Sequence, residues 1–173
     1  TGRDVCGAGL RPVPARGAIV SDRTYPDRPW SGVGVVVWRG GDVLLIQRGK
    51  EPMRGSWSIP GGSHDLGETV REAAVREVQE ETGVEISLGP IIDVIDTVRR
   101  DEEGRVRTHY TLVDFAATWV AGEPVAGDDA MAAEFVPYQA ALERLTWSET
   151  ARVIQESRAL LGLDAASTGN NES

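Results

Sequence analysis

The apolar and polar positions along the chain divide it into strand and helix signals. Ser31 to Trp38 (SGVGVVVW) is apolar without alternation, the mark of a strand covered on both faces. Gly40-Gly41 marks a turn, and Asp42 to Arg48 (DVLLIQR) reads as the returning strand of a hairpin. A loop, GKEPMRGSW, then leads through Ser58-Ile59-Pro60 to Gly61-Gly62. Beyond Gly67 the period becomes helical: Val70, Ala74 and Val78 recur every four residues with Val75 beside them. Glu68 is expected in the first turn, where the helix dipole favours negative charge, and Gly83 ends the helix where a left-handed residue is needed. Val84 to Val98 returns to strand material, broken at Gly89-Pro90. Arg99 to Gly104 (RRDEEG) is a charged turn and Arg107 to Val120 alternates as a long strand, so the two form an extended hairpin. A Gly- and Asp-rich loop spans Ala121 to Asp129. Glu134 to Pro137 reads as a short strand, Tyr138 to Leu145 as a short helix and Trp147 to Leu163 as a closing helix.

Strands followed by a helix, more strands and closing helices predict an α/β chain with a sheet layered between helices. Residues 31–163 carry this pattern as one domain. Residues 1–30 read as an arm, loose from Thr1 to Arg16, and a lead-in segment with a short strand at Ala18 to Val20; residues 164–173 lack core-forming side chains and are expected to be disordered. A length of 173 residues suits a single sizeable core. The net charge of -9 argues against a nucleic-acid polymer as partner, and any anionic small ligand needs a cationic bridge. The single Cys6 excludes an internal disulfide. No apolar run reaches the ~20 residues of a membrane span and no signal-peptide pattern opens the chain, so no membrane partner and a cytoplasmic location are expected.

The polar face of the central helix holds the candidate chemistry. Glu77 and Glu81 are four apart with Glu80 close to both, and like charges so spaced destabilise a helix by ~0.2–0.5 kcal/mol per pair. Such a cluster is either a solvated face or one awaiting a counter-ion, and hard divalent cations take oxygen ligands. Magnesium in particular binds through one or two carboxylates and keeps several waters, which Glu77, Glu80 and Glu81 allow.

Gly62, Glu68, Arg76, Glu77, Val78, Glu80, Glu81, Gly83 and Val84 together resemble the Nudix box, and no position departs from that pattern. A chance match is about one in 10⁹ per window at average residue usage. The resemblance implies a Nudix-fold α/β/α sandwich with a mixed sheet, and metal-dependent hydrolysis of a phosphoanhydride in a nucleoside diphosphate linked to another moiety. It assigns Glu77 and Glu81 as metal ligands, Glu80 as a further ligand through metal or water, and the backbone carbonyl of Gly61 as another. Arg76 is the residue that orients the glutamates, and Glu68 the more structural acid. The cofactor implied is Mg2+, with Mn2+ as an alternative, and the partner is a small-molecule nucleotide; a homodimer is left open.

The resemblance implies as general base either a box glutamate such as Glu80 or an acid after the last long strand, here Asp128, Asp129 or Glu134, of which Glu134 is preferred as the residue at a strand start. Arg48, Lys50 and Arg54 precede WSIPGG and are candidates for phosphate binding, whereas Trp57 is expected to pack and His64 and His109 to be non-catalytic. The run RGKEPMRGSWSIPGG with HYTLVDFAATW looks like the ADP-ribose pyrophosphatase-type branch, although Asp96 to Gly104 lacks the proline that many of those enzymes place there. ADP-ribose or a related dinucleotide therefore stands beside two alternatives, a nucleoside triphosphate sanitising pyrophosphatase and a non-catalytic nucleotide-binding module.

Overall fold

The computed structural model describes residues 23–51, 53–127 and 129–163. The expectations for Thr1 to Arg16, Ala18 to Val20, Asp128 and the last ten residues fall outside these. Seven strands form one mixed sheet: β1 (Trp30–Arg39), β2 (Asp42–Arg48), β3 (Trp57–Ser58), β4 (Gly61–Ser63), β5 (Glu85–Arg100), β6 (Val106–Ala121) and β7 (Ala130–Pro137). The helices are α1 (Val70–Thr82), α2 (Tyr138–Arg144) and α3 (Ser148–Leu160). None of the described helices is long and apolar enough to cross a membrane.

The unbroken apolar run of β1 is explained by its two neighbours. Val33, Val35 and Val37 pack with Leu44 and Phe115 against Ala73, Ala74 and Val78 of α1. Val36 and Trp38 face the opposite way, with Val43, Leu45 and Val136, onto Ala141 of α2 and Val153 and Ile154 of α3. Both faces of the strand are therefore core, and each fully buried valine contributes ~1.5–3 kcal/mol over its exposed state. The expected sandwich is the observed one.

β1 runs parallel to β6 from Trp30↔Tyr110 to Trp38↔Thr118 and antiparallel to β2 only at the hairpin end, Trp38↔Val43 and Arg39↔Asp42. Beyond that point the two strands splay. The short β4 pairs with the freed edge of β1 at Gly32 to Gly34, and β3 pairs with β2 at Ile46 and Gln47. Residues 57–63 thus fill a wedge in the middle of the sheet.

Several boundaries differ from expectation. The strand at Val84 to Val98 is not broken at Gly89-Pro90; β5 passes through it with register shifts between Leu88 and Asp93, because β-bulges absorb the misfit. β7 starts at Ala130 rather than Glu134, since the weakly strand-forming AMAA is recruited by pairing with Ile46 to Arg48 of β2. The lead-in to Trp30 is attached to the domain: the Tyr25 N–H donates to the Arg107 carbonyl at 2.8 Å and its hydroxyl to Asp101 at 3.0 Å.

Helix α1 begins at Val70, two residues later than the opening just after Gly67 that the sequence suggests. Thr69 is its N-cap, and a reciprocal capping box joins Thr69 and Glu72. Glu68 therefore precedes the helix, and Glu72 is the first-turn acid. Val75 is 43% exposed and Ala73 takes its expected place in the core. Gly83 ends the helix at φ 67, as expected.

Candidate active site

The buried stripe of α1 runs Ala73, Ala74, Val78, Glu81 and Thr82. Glu81 is on it because it follows Ala74 by seven residues, two helical turns. Its carboxylate is directed at the wedge, where the Gly61 N–H donates to Oε2 at 2.8 Å. Burial pushes the Glu81 carboxyl up to about 7, with the Gly61 N–H and Arg48 opposing and Glu77 and Asp129 adding to the rise. Glu77, one turn earlier, is raised by burial against the pull of Arg76.

The two glycines of the wedge are required by space. A Cβ at Gly61 would lie 2.2 Å from the Val33 carbonyl oxygen, and one at Gly62 would lie 2.5 Å from the Glu77 carboxylate. Only a bare backbone lets β4 pass between β1 and the acidic face of α1.

Arg76 organises the acids. It forks onto Glu68, Nε to Oε2 at 3.0 Å and Nη2 to Oε1 at 2.7 Å, and Nη2 also donates to the Ser63 carbonyl at 2.9 Å. Nη1 donates to Glu77 and to Glu80, each at 3.0 Å. The hydrogen bonds from Arg76 and from the Asp65 N–H hold the Glu68 carboxyl down at about 2. His64 completes the loop before α1. Its Nε2 lies 2.7 Å from the Glu68 carbonyl, which can only accept, so Nε2 carries the proton and Nδ1 accepts from the Ser31 hydroxyl at 3.2 Å. These two bonds tie the β4–α1 loop to β1.

The chain delivers one further acid to this place. The last carbonyls of a helix lack intrahelical partners. Here the Glu81 carbonyl takes the Gly127 N–H and the Thr82 carbonyl the Val125 N–H, each at 2.9 Å. The approach is close enough that a Cβ at Gly127 would lie 2.0 Å from the Glu80 carbonyl oxygen. The captured loop carries Asp129 to the site, where it pairs with Lys50 and raises the Glu81 pKa. Lys50 is thus at the site through Asp129. Arg48, at the end of β2, also acts on Glu81, and its Nε is sealed from solvent without a hydrogen-bond partner among the described residues. Arg54 is exposed in the turn between β2 and β3.

Glu134 is not at a strand start; it is inside β7, opposite Leu45. Leu45 packs on the α2 and α3 side, so Glu134 faces away from α1. There it accepts from Arg144 at 2.6 Å, and the same guanidinium lies 4.9 Å over the Trp57 ring. Trp57 packs against the α2 and α3 core, as expected.

The donor set fits a hard divalent cation in its chemistry. Glu77 and Glu81 are carboxylates whose ionised forms burial disfavours, and Gly61 and Gly62 bring bare backbone beside them. Glu80 is largely exposed and held to Arg76. With Arg76 drawing Glu77 and Glu80 to itself, no three acidic, histidine or cysteine side chains among the described residues converge as an ion-holding group.

Comparison with known proteins gives the same reading of the fold. An ADP-ribose pyrophosphatase of Methanocaldococcus jannaschii is 37% identical over 107 residues, 62% of this chain and 61% of that protein. The chain thus spans about three fifths of the length of that relative. An 8-oxo-dGTP diphosphatase of Proteus vulgaris is 36% identical over 86 residues, 49% of this chain and 71% of that protein. The crystal structure of a MutT NUDIX hydrolase from Burkholderia pseudomallei has a TM-score of 0.62 at 28% identity, covering 75% of this chain and 98% of its own. Residues 28–156, well over half of the sequence, match the NUDIX domain, and the chain belongs to that family.

Proposed function

We propose that this chain hydrolyses a phosphoanhydride bond in a nucleoside diphosphate joined to another moiety, with ADP-ribose or a related dinucleotide as the leading substrate class. The observation that carries the proposal is the pairing of the buried Glu81 carboxylate, and of half-buried Glu77 one turn earlier, with the bare backbone of Gly61 and Gly62. The likeness to an ADP-ribose pyrophosphatase over 62% of the chain favours that substrate. The likeness to an 8-oxo-dGTP diphosphatase keeps nucleoside triphosphates as the second reading.

Glu77, Glu81 and the Gly61 backbone would hold magnesium, with Glu80 joining once released from Arg76. A divalent cation bound there supplies Lewis acidity toward phosphoryl oxygens and lowers the pKa of water. The chain's own residues do the rest. Arg76 keeps Glu77 and Glu80 oriented through its anchor on Glu68 and Ser63. Arg48, whose charge acts on Glu81, adds positive potential for an anionic substrate. Lys50 adds charge beside it. Asp129 replaces Glu134 as the preferred base, because it adjoins Glu81 whereas Glu134 faces the other side of the sheet. A cytoplasmic setting goes with this reading.

The test is a panel of ADP-ribose, dinucleotides and nucleoside triphosphates incubated with and without magnesium. Metal-dependent release of AMP and ribose phosphate from ADP-ribose is expected. Release of pyrophosphate from triphosphates alone would install the second reading, and silence across the panel would end both. In the same assay Arg76→Lys is expected to lower kcat about 10–100-fold, since an ammonium cannot fork onto Glu68 while holding Glu77 and Glu80. An unchanged kcat would remove the orienting role.

A further inference from the structure

On the sheet face away from α1, Asp114 of β6 is only 5% exposed and takes no part in the site described above. Among the described residues nothing donates a hydrogen bond to it, yet its oxygens are not sealed from solvent. The position of the carboxylate follows from its neighbour across the parallel pair, Gly34. A Cβ at Gly34 would lie 2.4 Å from Asp114 Oδ1 and 3.0 Å from Ile59 Cδ1. The carboxylate therefore leans from β6 over β1, toward β4.

Among the described residues the cation that acts on it, Arg152, is already engaged. Asp93 is its cross-strand partner on β5 and is taken by Arg152 of α3 at 2.8 Å. The same guanidinium also holds Glu149 at 2.9 Å and Glu156 at 2.8 Å. Burial and Asp93 accordingly push the Asp114 carboxyl up to about 6, with Arg152 opposing. A carboxylate on a residue this buried, with no donor among the described residues, calls for an explanation.

The register supplies one. Gly61, Gly34 and Asp114 lie in one row across β4, β1 and β6. Two strand spacings, ~10 Å, separate Gly61 from Asp114. A nucleotide with its phosphates at the Gly61 end of this row brings its nucleoside to the carboxylate.

We propose that Asp114 is a specificity-determining residue that accepts a hydrogen bond from an N–H or O–H group on the nucleoside of the bound nucleotide. The assignment rests on the nucleotide-hydrolase reading above. A site built around such an acceptor discriminates strongly against analogues lacking the donor, because its own buried group is then left unpaired.

The experiment measures binding by calorimetry alongside turnover, for the wild type, Asp114→Ala and Gly34→Ala. The ligands are AMP and GMP, IMP without the exocyclic amine, and the 2′-deoxy forms of AMP and GMP. Wild type is expected to bind AMP or GMP about tenfold more tightly than the analogue missing one donor, and the analogue that loses affinity tells base from ribose. Asp114→Ala, which removes the acceptor, should bring that ratio within about twofold of one. Gly34→Ala should do the same by displacing the carboxylate. A ratio unchanged in both Asp114→Ala and Gly34→Ala overturns the assignment, as does equal binding of all ligands, or binding of none, by the wild type. Loss of the hydrolase reading looks different: no turnover of any nucleotide, with the Asp114-dependent ratio intact.

Discussion

Glu81→Gln is expected to yield a protein that melts at a higher temperature and has lost about three powers of ten in turnover. The two effects share one cause. The Glu81 carboxyl is raised from 4.5 to about 7, so across that window the folded state keeps a proton that the unfolded state releases. Stability therefore falls as pH rises from about 4.5 to about 7, by ~3 kcal/mol, and stays at the lower level above that. Glutamine abolishes the charge and can still accept the Gly61 N–H. The gain for a domain of this size is ~2–4 °C per kcal/mol. Turnover falls because the same charge is needed as an oxygen ligand. Calorimetry of the metal-free proteins should show a gap at pH 8 that closes toward pH 5. A gap independent of pH would sink the stability argument, and wild-type rates in saturating magnesium would sink the ligand assignment.

Asp129→Asn is expected to lower kcat by about 10²–10⁴ under metal saturation, the range that a general base contributes, with Glu134→Gln within about threefold of wild type. The asymmetry comes from the two faces of the sheet. Asp129 is held beside Glu81 by the loop that caps α1, while Glu134 is engaged by Arg144 under the other layer. Because Asp129 also pairs with Lys50, Lys50→Met serves as the control. If Lys50→Met is as damaging as Asp129→Asn, the acid only anchors the lysine. If Glu134→Gln alone is severe, the base belongs to the far face.

The sandwich, the central helix and its glycine stop were legible because each rests on a strong local pattern: the continuous run of β1, the four-residue stripe of α1, and Gly83. The capping box of Thr69 and Glu72 went unread, with Glu68 in its place as the first-turn acid; Thr69 three residues before Glu72 is the signal that marks the start. Arg76 is singled out by the box resemblance, and its guanidinium contacts Glu68, Glu77 and Glu80. What could not be read is tertiary. Nothing local in AMAA predicts a strand; β7 exists there because β2 offers an edge. The choice between Asp129 and Glu134 depended on which face each side chain takes, and a four-residue error in the start of β7 hid it. Asp114 was an ordinary polar position of an alternating strand until the register set it over Gly34.

The wedge of residues 57–63 has a consequence for local opening. β1 is fixed by its long ladder with β6 from Trp30 to Trp38, whereas the β4 ladder covers Gly32 to Gly34 and the β3 ladder Ile46 and Gln47. Segments with short ladders open at lower free energy than the core they lean on. Amides of β4 should therefore exchange with solvent by a sub-global route while those of Val35 to Val37 wait for global unfolding. The strip that brings Gly61 to Glu81 is thus a separate cooperative unit, and anything that binds across it closes that unit without refolding the rest.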